Sequence, residues 1–241
     1  MTNLIAAAVV FLLLHLVVSG TRVRDAATEA LGRGAYMGLF SLASIGLLIW
    51  LGIAYGAVWC RPDAPVCTTG DTVYWHAITA TKWVQMVVQL VALVFVVAGL
   101  TTRNPTAVAQ EGALDNPDVI RGVLRITRHP FLWGVAIWAA GHLIVRGDIA
   151  GIILFGTMLL LALFGTVSID AKRERASRER WNTFAAKTSN LPFAAIASGR
   201  QSLNIGEIGW ARLVGSLVVW AVILGAHPHI FGVSALPMAV G

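Results

Sequence analysis

The chain has 241 residues, of which 57% are hydrophobic and only 12% are charged, and its mean hydropathy is +0.74. Soluble domains carry roughly 25% charged residues, so this composition excludes an ordinary soluble domain and indicates a protein embedded in lipid. The net charge of +6 does not indicate nucleic-acid binding, because the basic residues fall almost wholly between apolar segments, where they fix topology and meet anionic lipid headgroups.

Six apolar segments have, or nearly have, the roughly 17–25 residues that a membrane-spanning helix needs. In chain order they are Leu4–Gly20, Leu39–Trp59, Trp75–Leu100, Pro130–Val145, Ile149–Ile169 and Trp210–Ile230. We expect the first to be retained as a span, because its arginines follow the apolar run, whereas a signal peptide carries its positive charge before it. The sequence therefore predicts an all-α fold, a polytopic membrane bundle of about six transmembrane helices that forms a single domain over residues 1–241.

The distribution of basic residues predicts the orientation of this bundle. Arginines and lysines crowd the connections after the first, third and fifth segments, whereas the opposite side has only Arg61, Arg146 and, at its edge, Lys82. Because loops rich in these residues stay in the cytoplasm, both termini are predicted to lie outside, on the periplasmic face of a bacterial inner membrane. The stretch "CRPDAPVC" then also lies outside, where disulfides persist, and we expect Cys60 and Cys67 to form one rather than remain free thiols.

The connections Thr101–His129 and Asp170–Gly209 are the long ones on the cytoplasmic side. The second opens with "DAKRERASRERWNTF", in which the apolar residues Ala176, Trp181 and Phe184 are few and the basic residues are many. This pattern predicts an amphipathic helix that continues the fifth segment and lies on the membrane surface.

Two histidines lie deep in apolar segments, His15 in the first and His142 in the fourth. Ionisable side chains inside a bilayer are costly and mark functional sites by default, and the segments contain no aspartate or glutamate to pair with them. Either hydrogen bonds across helices satisfy the two imidazoles, or both bind a metal. Two imidazoles on different helices suit the axial ligation of a haem b iron better than zinc, which takes three or four protein ligands.

The flanks of the segments supply the remaining candidate residues of a haem site. His76 is an alternative second ligand, because a rise of about 1.5 Å per residue sets the two deep histidines at different heights above the basic edge. Lys82 and Arg128, near the ends of their segments, are predicted to neutralise the haem propionates. His129 marks the mouth of the fourth segment, either as an orienting residue of the site or as a solvated neighbour of lipid headgroups.

Several stretches of the sequence resemble the NnrU family of integral membrane proteins. They are "HLVVSGTRVRD", "GAYMGLFSLASIGLLIWL", "NPTAV", "RITRHPFLWGVAIWAAGHL" and "KTSNLPFAAIASGRQ", and they are distributed over nearly the whole chain. The resemblance implies a bacterial membrane protein linked with nitrite and nitric oxide reduction, in a family that also includes a haem b-dependent carotenoid isomerase. It implies that His142 is a haem ligand, and it places Val18 where that isomerase has its other histidine, three residues after His15.

Residues and resemblance together predict a haem b-binding membrane protein that acts in nitrite and nitric oxide reduction. It would sense nitric oxide, pass electrons or assist maturation of a reductase, with reductase components as partners besides the lipid bilayer. The first alternative is a haem-dependent carotenoid cis–trans isomerase; if the protein is an enzyme, we expect such an isomerase or a redox protein. The second is a membrane methyltransferase, because "RHPFLWG" also resembles the element before a span in isoprenylcysteine-type and phospholipid methyltransferases, although "DAKRER" lacks their paired glutamates. The third is a cofactor-free assembly factor.

Overall fold

The computed structural model describes residues 1–18, 21–59 and 70–237, and helices dominate them. In chain order the helices are α1 (Thr2–Leu13), α2 (Arg22–Leu31), α3 (Arg33–Gly56), α4 (Thr79–Thr101), α5 (Val123–Ile126), α6 (Pro130–Val145), α7 (Ile149–Ala176), α8 (Arg178–Lys187), α9 (Ala194–Ala197) and α10 (Trp210–Phe231). The shorter elements are a π-helical turn (Leu14–Val18), 3₁₀ turns (Glu111–Asp115 and Ile205–Ile208) and the strands β1 (Val73–His76) and β2 (Arg146–Asp148). The predicted disulfide of Cys60 and Cys67 lies outside the described residues.

Contacts divide the chain into two compact units. The first unit comprises residues 1–85, 139–161 and 228–241, and the second comprises residues 86–138 and 162–227. Each unit has its own buried core, and each is described separately below.

Four helices in the described part of the chain are long and apolar enough to cross a membrane, judged by length and composition: α3, α4, α7 and α10. The pair Thr2–Val18 and Arg22–Leu31 is a fifth candidate if it forms one span, and α6 is a shorter apolar helix of 16 residues. Each of the predicted segments therefore contains a helix. The chain is an α-helical membrane protein, whereas the number of six spans and the outside position of the termini stay predictions.

A short antiparallel pair of strands departs from the predicted all-α fold. β1 pairs with β2, with His76 opposite Arg146. The sequence predicts a helix from Trp75 onwards, but α4 begins at Thr79. Because valine, tyrosine and tryptophan are apolar and also favour strands, hydropathy alone extends the third segment into β1. β2 contains Gly147 at a point where any side chain would collide with the Trp75 ring.

In the first unit, α1 packs along α3 through a core that is rich in small side chains. Its buried residues are Leu4, Ala7, Ala8, Phe11, Leu51, Ala54, Val58 and Ala150. Lipid tails are as apolar as these side chains, so close van der Waals packing rather than exclusion of water holds such helices together. The indole of Trp50 also donates to the side-chain oxygen of Asn3 (3.1 Å), which ties α3 to the first turn of α1.

In the second unit, α4 and α6 approach so closely that glycines are required at the contact. A Cβ atom on Gly99 would lie 2.5 Å from the backbone nitrogen of Phe131, and one on Gly134 would lie 2.7 Å from the side chain of Val96. The two helices therefore pack with their backbones close together, as small residues allow in membranes. This contact positions the first turn of α6, which follows the "RH" pair of the sequence.

Gly99→Ala is expected to lower the free energy of unfolding by about 1–3 kcal/mol, the usual effect of overpacking, because the backbone of Phe131 cannot move aside. Gly215→Ala in α10 is the matched control, since a Cβ atom there meets nothing within 4 Å and alanine favours a helix over glycine by about 1 kcal/mol. Thermal unfolding in detergent, followed by circular dichroism, measures both. Equal melting temperatures for the two variants would contradict the close packing of α4 on α6.

α8 turns its apolar side chains into the second unit. Trp181 and Phe184 are 3% and 4% exposed, and they belong to a buried cluster with Ala113, Val119 and Leu124. A helix on the membrane surface would place this face in lipid. The predicted amphipathic helix therefore exists, but its apolar face binds the connection between α4 and α6 instead.

Candidate functional site

The residues predicted for a haem site divide between the two units. The first unit contains His15, His76, Lys82 and His142, and the second contains Arg128 and His129. The two groups are described in turn.

His15 lies in the π-helical turn Leu14–Val18 that follows α1. Such turns are frequent at functional sites. The Nδ1 atom of the imidazole lies 2.8 Å from the carbonyl oxygen of Phe11, so Nδ1 carries the proton that this hydrogen bond requires. In the neutral imidazole the other ring nitrogen, Nε2, then bears the lone pair through which histidine ligates a metal.

The surroundings of the His15 ring are mainly aromatic. The ring centroid lies 4.4 Å from that of Phe11 and 5.3 Å from that of Phe40. The hydroxyl oxygen of Ser44 lies 3.4 Å from Nε2, but it lies only 2.8 Å from the carbonyl oxygen of Phe40, which takes the hydroxyl proton. Among the described residues, no strong donor occupies the Nε2 lone pair.

His142 stacks on a row of aromatic side chains in the same unit. Its ring centroid lies 4.5 Å from that of Phe155, with an interplanar angle of 15°. Tyr55 meets Phe155 edge-on at 6.4 Å, and Trp59 stacks on Tyr55 at 6.0 Å. The row ends at Arg146, whose guanidinium carbon lies 4.8 Å from the centre of the Trp59 ring. The stacking fixes the plane of the imidazole, and a ligand ring must be oriented in this way.

The other first-unit candidates lie closer to the surface. His76 is exposed in β1, and Lys82 is half-buried near the start of α4. Neither side chain has a hydrogen-bond or ion-pair partner in the part of the chain that the structure describes. Their predicted roles, as an alternative ligand and as a propionate partner, stay predictions.

In the second unit, Arg128 and His129 meet Asp170 of α7 in a buried ionic cluster. The Nε2 atom of His129 lies 2.6 Å from Oδ1 of Asp170, and the Arg128 guanidinium donates to both carboxylate oxygens. The His129 side chain is completely buried, and those of Arg128 and Asp170 are 13% and 19% exposed. The sequence predicts His129 to be either an orienting residue or a solvated neighbour of lipid headgroups. Its complete burial favours the first of these alternatives.

Asn190 ties this cluster to the "TSNLPF" stretch. Its amide nitrogen donates to the hydroxyl of Thr166 (3.0 Å) and to Asp170 (3.3 Å), and its side-chain oxygen accepts from the indole of Trp133 (3.3 Å). The carbonyl of Asn190 accepts from the hydroxyl of Thr127 (2.5 Å). The start of α6, the end of α7 and the turn at residue 190 are thereby held together.

Burial keeps the His129 imidazole neutral. It lowers the pKa of His129 below its ordinary value, although the hydrogen bond to Asp170 acts in the opposite direction. The proton therefore lies on Nε2 and is donated to Asp170, while Nδ1 is a buried lone pair with no partner among the described residues. Because the pKa is lower in the folded than in the unfolded chain, the stability of this cluster falls as the pH drops below about 6.5.

A match over almost the full length settles the family. The model of a family described as "NnrU protein" matches residues 3–235. The chain belongs to the NnrU family. The resemblance of the quoted stretches is thereby confirmed.

Two curated relatives of this NnrU chain are plant enzymes named "15-cis-zeta-carotene isomerase, chloroplastic". The one from Zea mays is 34% identical over 82 residues, which are 34% of this chain and 22% of the relative. The one from Arabidopsis thaliana is 30% identical over 116 residues, which are 47% of this chain and 32% of the relative. The chain thus spans less than a third of the length of either relative. No solved structure matches it.

Asp170 and Asn190 of this NnrU chain belong to the buried ionic cluster, and the sequence alone does not identify them. Asp170 directly follows the fifth apolar segment and opens "DAKRER", which reads as a solvated basic stretch. It lies 41 positions from His129, to which it is hydrogen-bonded. Only the family resemblance could have pointed to the Asp170 carboxylate. Two of the stretches that carry it, those containing "TRHP" and "TSNLPF", meet at this side chain.

A second ion pair of the NnrU chain joins the start of α5 to the turn before α10. The Nε atom of Arg125 donates to Oε2 of Glu207 (2.7 Å), and the backbone nitrogen of Gly122 donates to the same oxygen (2.9 Å). The hydrogen bond from Arg125, helped by that from Gly122, lowers the pKa of Glu207 to about 2. Because this value lies below that of an unfolded glutamate, about 4.3, the pair stabilises the fold above that pH and loses its effect as the pH falls toward 2.

Glu207→Gln is expected to lower the free energy of unfolding near neutral pH by about 1 kcal/mol. The effect is small because solvent screening weakens partly exposed ion pairs, and the side chains of Arg125 and Glu207 are 26% and 27% exposed. The difference between the variant and the natural chain should shrink as the pH is lowered from 5 toward 2. Unfolding midpoints in urea at several pH values measure this. Glu179→Gln, which removes an exposed carboxylate in α8, is the control and should leave the midpoint unchanged at every pH.

Proposed function

We propose that this NnrU protein binds haem b within the membrane, with His15 and His142 as its axial ligands. The observation that carries the proposal is the hydrogen bond from His15 to the Phe11 carbonyl, which leaves Nε2 as a lone-pair donor among aromatic rings. His142 supplies a second oriented imidazole in the same unit. A pair of imidazoles without carboxylates suits a haem iron rather than zinc, which takes three or four protein ligands, and no such group occurs among the described residues. His15 lies against Ser44, whereas His142 is linked through Phe155 to Tyr55 further along α3, so one iron binds both rings only if the helices shift.

When bound, haem b supplies a redox-active iron, and the side chains of the chain bind and orient it. The Phe11 carbonyl fixes the tautomer of His15, and the stack on Phe155 fixes the plane of His142. Of the two cations predicted to bind propionates, Arg128 already binds both oxygens of Asp170. Lys82, which has no such partner, is therefore the better candidate for that role.

We place this haem in nitrite and nitric oxide reduction in a bacterial inner membrane, beside components of a reductase. Membership of the NnrU family supports this role. Two firmly held imidazoles favour electron transfer or redox gating, whereas a ligand that dissociates leaves a binding position for nitric oxide. The ligation state therefore discriminates between a redox protein and a sensor.

A haem-dependent carotenoid cis–trans isomerase is the second candidate function. The two isomerases that match the chain favour it directly. Val18 stands where the family's isomerase has its other histidine, with His15 three residues earlier, so the ligand set near the Ser-Gly pair differs from that enzyme.

The two candidates are distinguished with one preparation of the purified, haem-loaded protein. In the first arm, the dithionite-reduced protein is titrated with nitric oxide and its Soret band is followed. In the second, the reduced protein is incubated with a 15-cis polyene in detergent, and the isomers are separated by chromatography. A nitrosyl spectrum at stoichiometric nitric oxide without isomerisation supports the nitrogen-oxide role. Catalytic isomerisation that depends on reduction supports the second function instead.

A further inference from the structure

Two open clefts adjoin where the end of α4 meets the start of α10. The first, with a volume of about 400 Å³, lies between the end of α4 and residues 109–112 and includes Arg103. The second, of about 380 Å³, extends from Val97 to the first turn of α10 and includes Arg212. Thr101 lines both clefts, so they adjoin at this residue.

Arg212 is held rigidly at the boundary of the two clefts. Its Nε atom donates to the hydroxyl of Thr101 (2.9 Å), Nη2 donates to the carbonyl of Thr101 (3.1 Å), and Nη1 donates to the carbonyl of Ile208 (2.9 Å). A guanidinium has five N–H donors, so two remain for a ligand. The charge of Arg212 is bound here only by neutral acceptors, and no carboxylate neutralises it among the described residues.

Arg103 adds a second positive charge that has no partner. Its side chain is exposed and makes no hydrogen bond or ion pair within the described ranges. Glu207 binds Arg125, and Glu111 binds Arg173 (2.7 Å), so these two nearby carboxylates are already paired. The joined clefts therefore carry two uncompensated cations, which favours an anionic ligand.

Exposed apolar side chains adjoin the clefts. Trp210, the first residue of α10, is 77% exposed, and Leu100 and Val214 are 64% and 55% exposed. Tryptophan at the end of a spanning helix marks the level of the lipid headgroups. Charged residues and apolar residues thus adjoin at the depth where a phospholipid carries its phosphate above its acyl chains.

We infer that these clefts bind one anionic phospholipid, with its phosphate on Arg103 and Arg212 and an acyl chain along Val97 and the exposed face of α10. Arginine binds phosphate oxygens through its planar fork, and basic pockets between membrane helices bind anionic headgroups. The inference does not depend on haem. It adds a lipid site of the second unit to the proposed cofactor site of the first.

The test compares lipids retained by the detergent-purified protein, with phosphatidylglycerol and phosphatidylcholine as probes, by native mass spectrometry. The natural chain should retain one phosphatidylglycerol and no phosphatidylcholine. Arg103→Gln, which leaves the Arg212 contacts intact, should lower phosphatidylglycerol occupancy about fivefold or more. Arg121→Gln is the matched control, because Arg121 is also an exposed second-unit arginine but does not line either cleft, and it should retain the lipid.

Three results of the lipid comparison would overturn the inference. They are equal retention of the two lipids by the natural chain, unchanged retention in Arg103→Gln, and equal loss in Arg121→Gln, which would mean that total charge alone attracts the lipid. Inorganic phosphate at equal concentration is the further probe. If it displaces phosphatidylglycerol completely, the clefts are a site for a soluble phosphate and not for a lipid.

Discussion

Asp170→Ala is expected to lower the free energy of unfolding by about 3–5 kcal/mol, the usual loss when one partner is removed from a buried ion pair. The Asp170 carboxylate accepts from His129, Arg128 and Asn190. Without it, a guanidinium that is only 13% exposed keeps its charge with no counter-ion, and the imidazole loses the acceptor for its proton. The melting temperature in detergent should fall by on the order of 10 °C, at roughly 2–4 °C per kcal/mol for a chain of this size.

Asp115→Ala is the matched control for this prediction. Asp115 also pairs with an arginine, Arg180, at 2.6 Å, but the two side chains are 60% and 55% exposed. Exposed pairs contribute about 0–1 kcal/mol, so this variant should melt within a few degrees of the natural chain. Asp170→Asn keeps the shape and loses the charge, and it should lie between the two. Similar melting temperatures for Asp170→Ala and Asp115→Ala would show that the buried cluster does not stabilise the second unit.

His142→Ala and His15→Ala are each expected to abolish the b-type haem spectrum of the purified protein. Each removes one of the two proposed axial ligands, and neither histidine has a further imidazole within its described contacts. Absorption spectra of the oxidised and dithionite-reduced variants measure the loss, with total haem determined on the same samples. Circular dichroism melting controls for folding, because each change also removes aromatic contacts.

His76→Ala distinguishes the two predicted ligand pairs. His76 is exposed in β1, so its replacement should not unfold the protein, and the haem spectrum should persist. If His76→Ala and His142→Ala both lose the spectrum while His15→Ala keeps it, the second ligand is His76, and the assignment of His15 is wrong.

The bounds of two apolar helices follow closely from the sequence. Segment Pro130–Val145 coincides with α6, because proline begins the helix and the charged Arg146 follows its end. Segment Trp210–Ile230 ends one residue before α10 does. Hydropathy is sufficient in both cases, since the length of a predominantly apolar run sets the length of a spanning helix.

Pairing over long sequence distances does not follow from composition. The sequence predicts β1 to be part of the third apolar segment. It forms a strand only because a partner strand, β2, lies in the turn between α6 and α7. The sequence predicts that the apolar side of α8 faces the membrane. The residues that cover Trp181 and Phe184 lie in a different connection, so the local pattern does not reveal them.

The candidate haem ligands and the buried cluster differ in what the sequence reveals. His15 and His142 are easily identified in the sequence because they interrupt apolar runs. The hydrogen bond from His15 to the Phe11 carbonyl, in a π-helical turn, cannot be predicted from any sequence pattern. His129 looks interfacial, because its partner Asp170 lies beyond the fifth segment and only the fold brings the two together.

The absorption spectrum of the natural protein, purified in detergent from haem-replete cells, tests the central proposal most directly. The proposal predicts a Soret band in the oxidised protein and sharp α and β bands of a low-spin b-type haem after reduction with dithionite, at about one haem per chain. A colourless protein that is folded by circular dichroism would contradict haem binding, and it would favour the cofactor-free assembly factor instead.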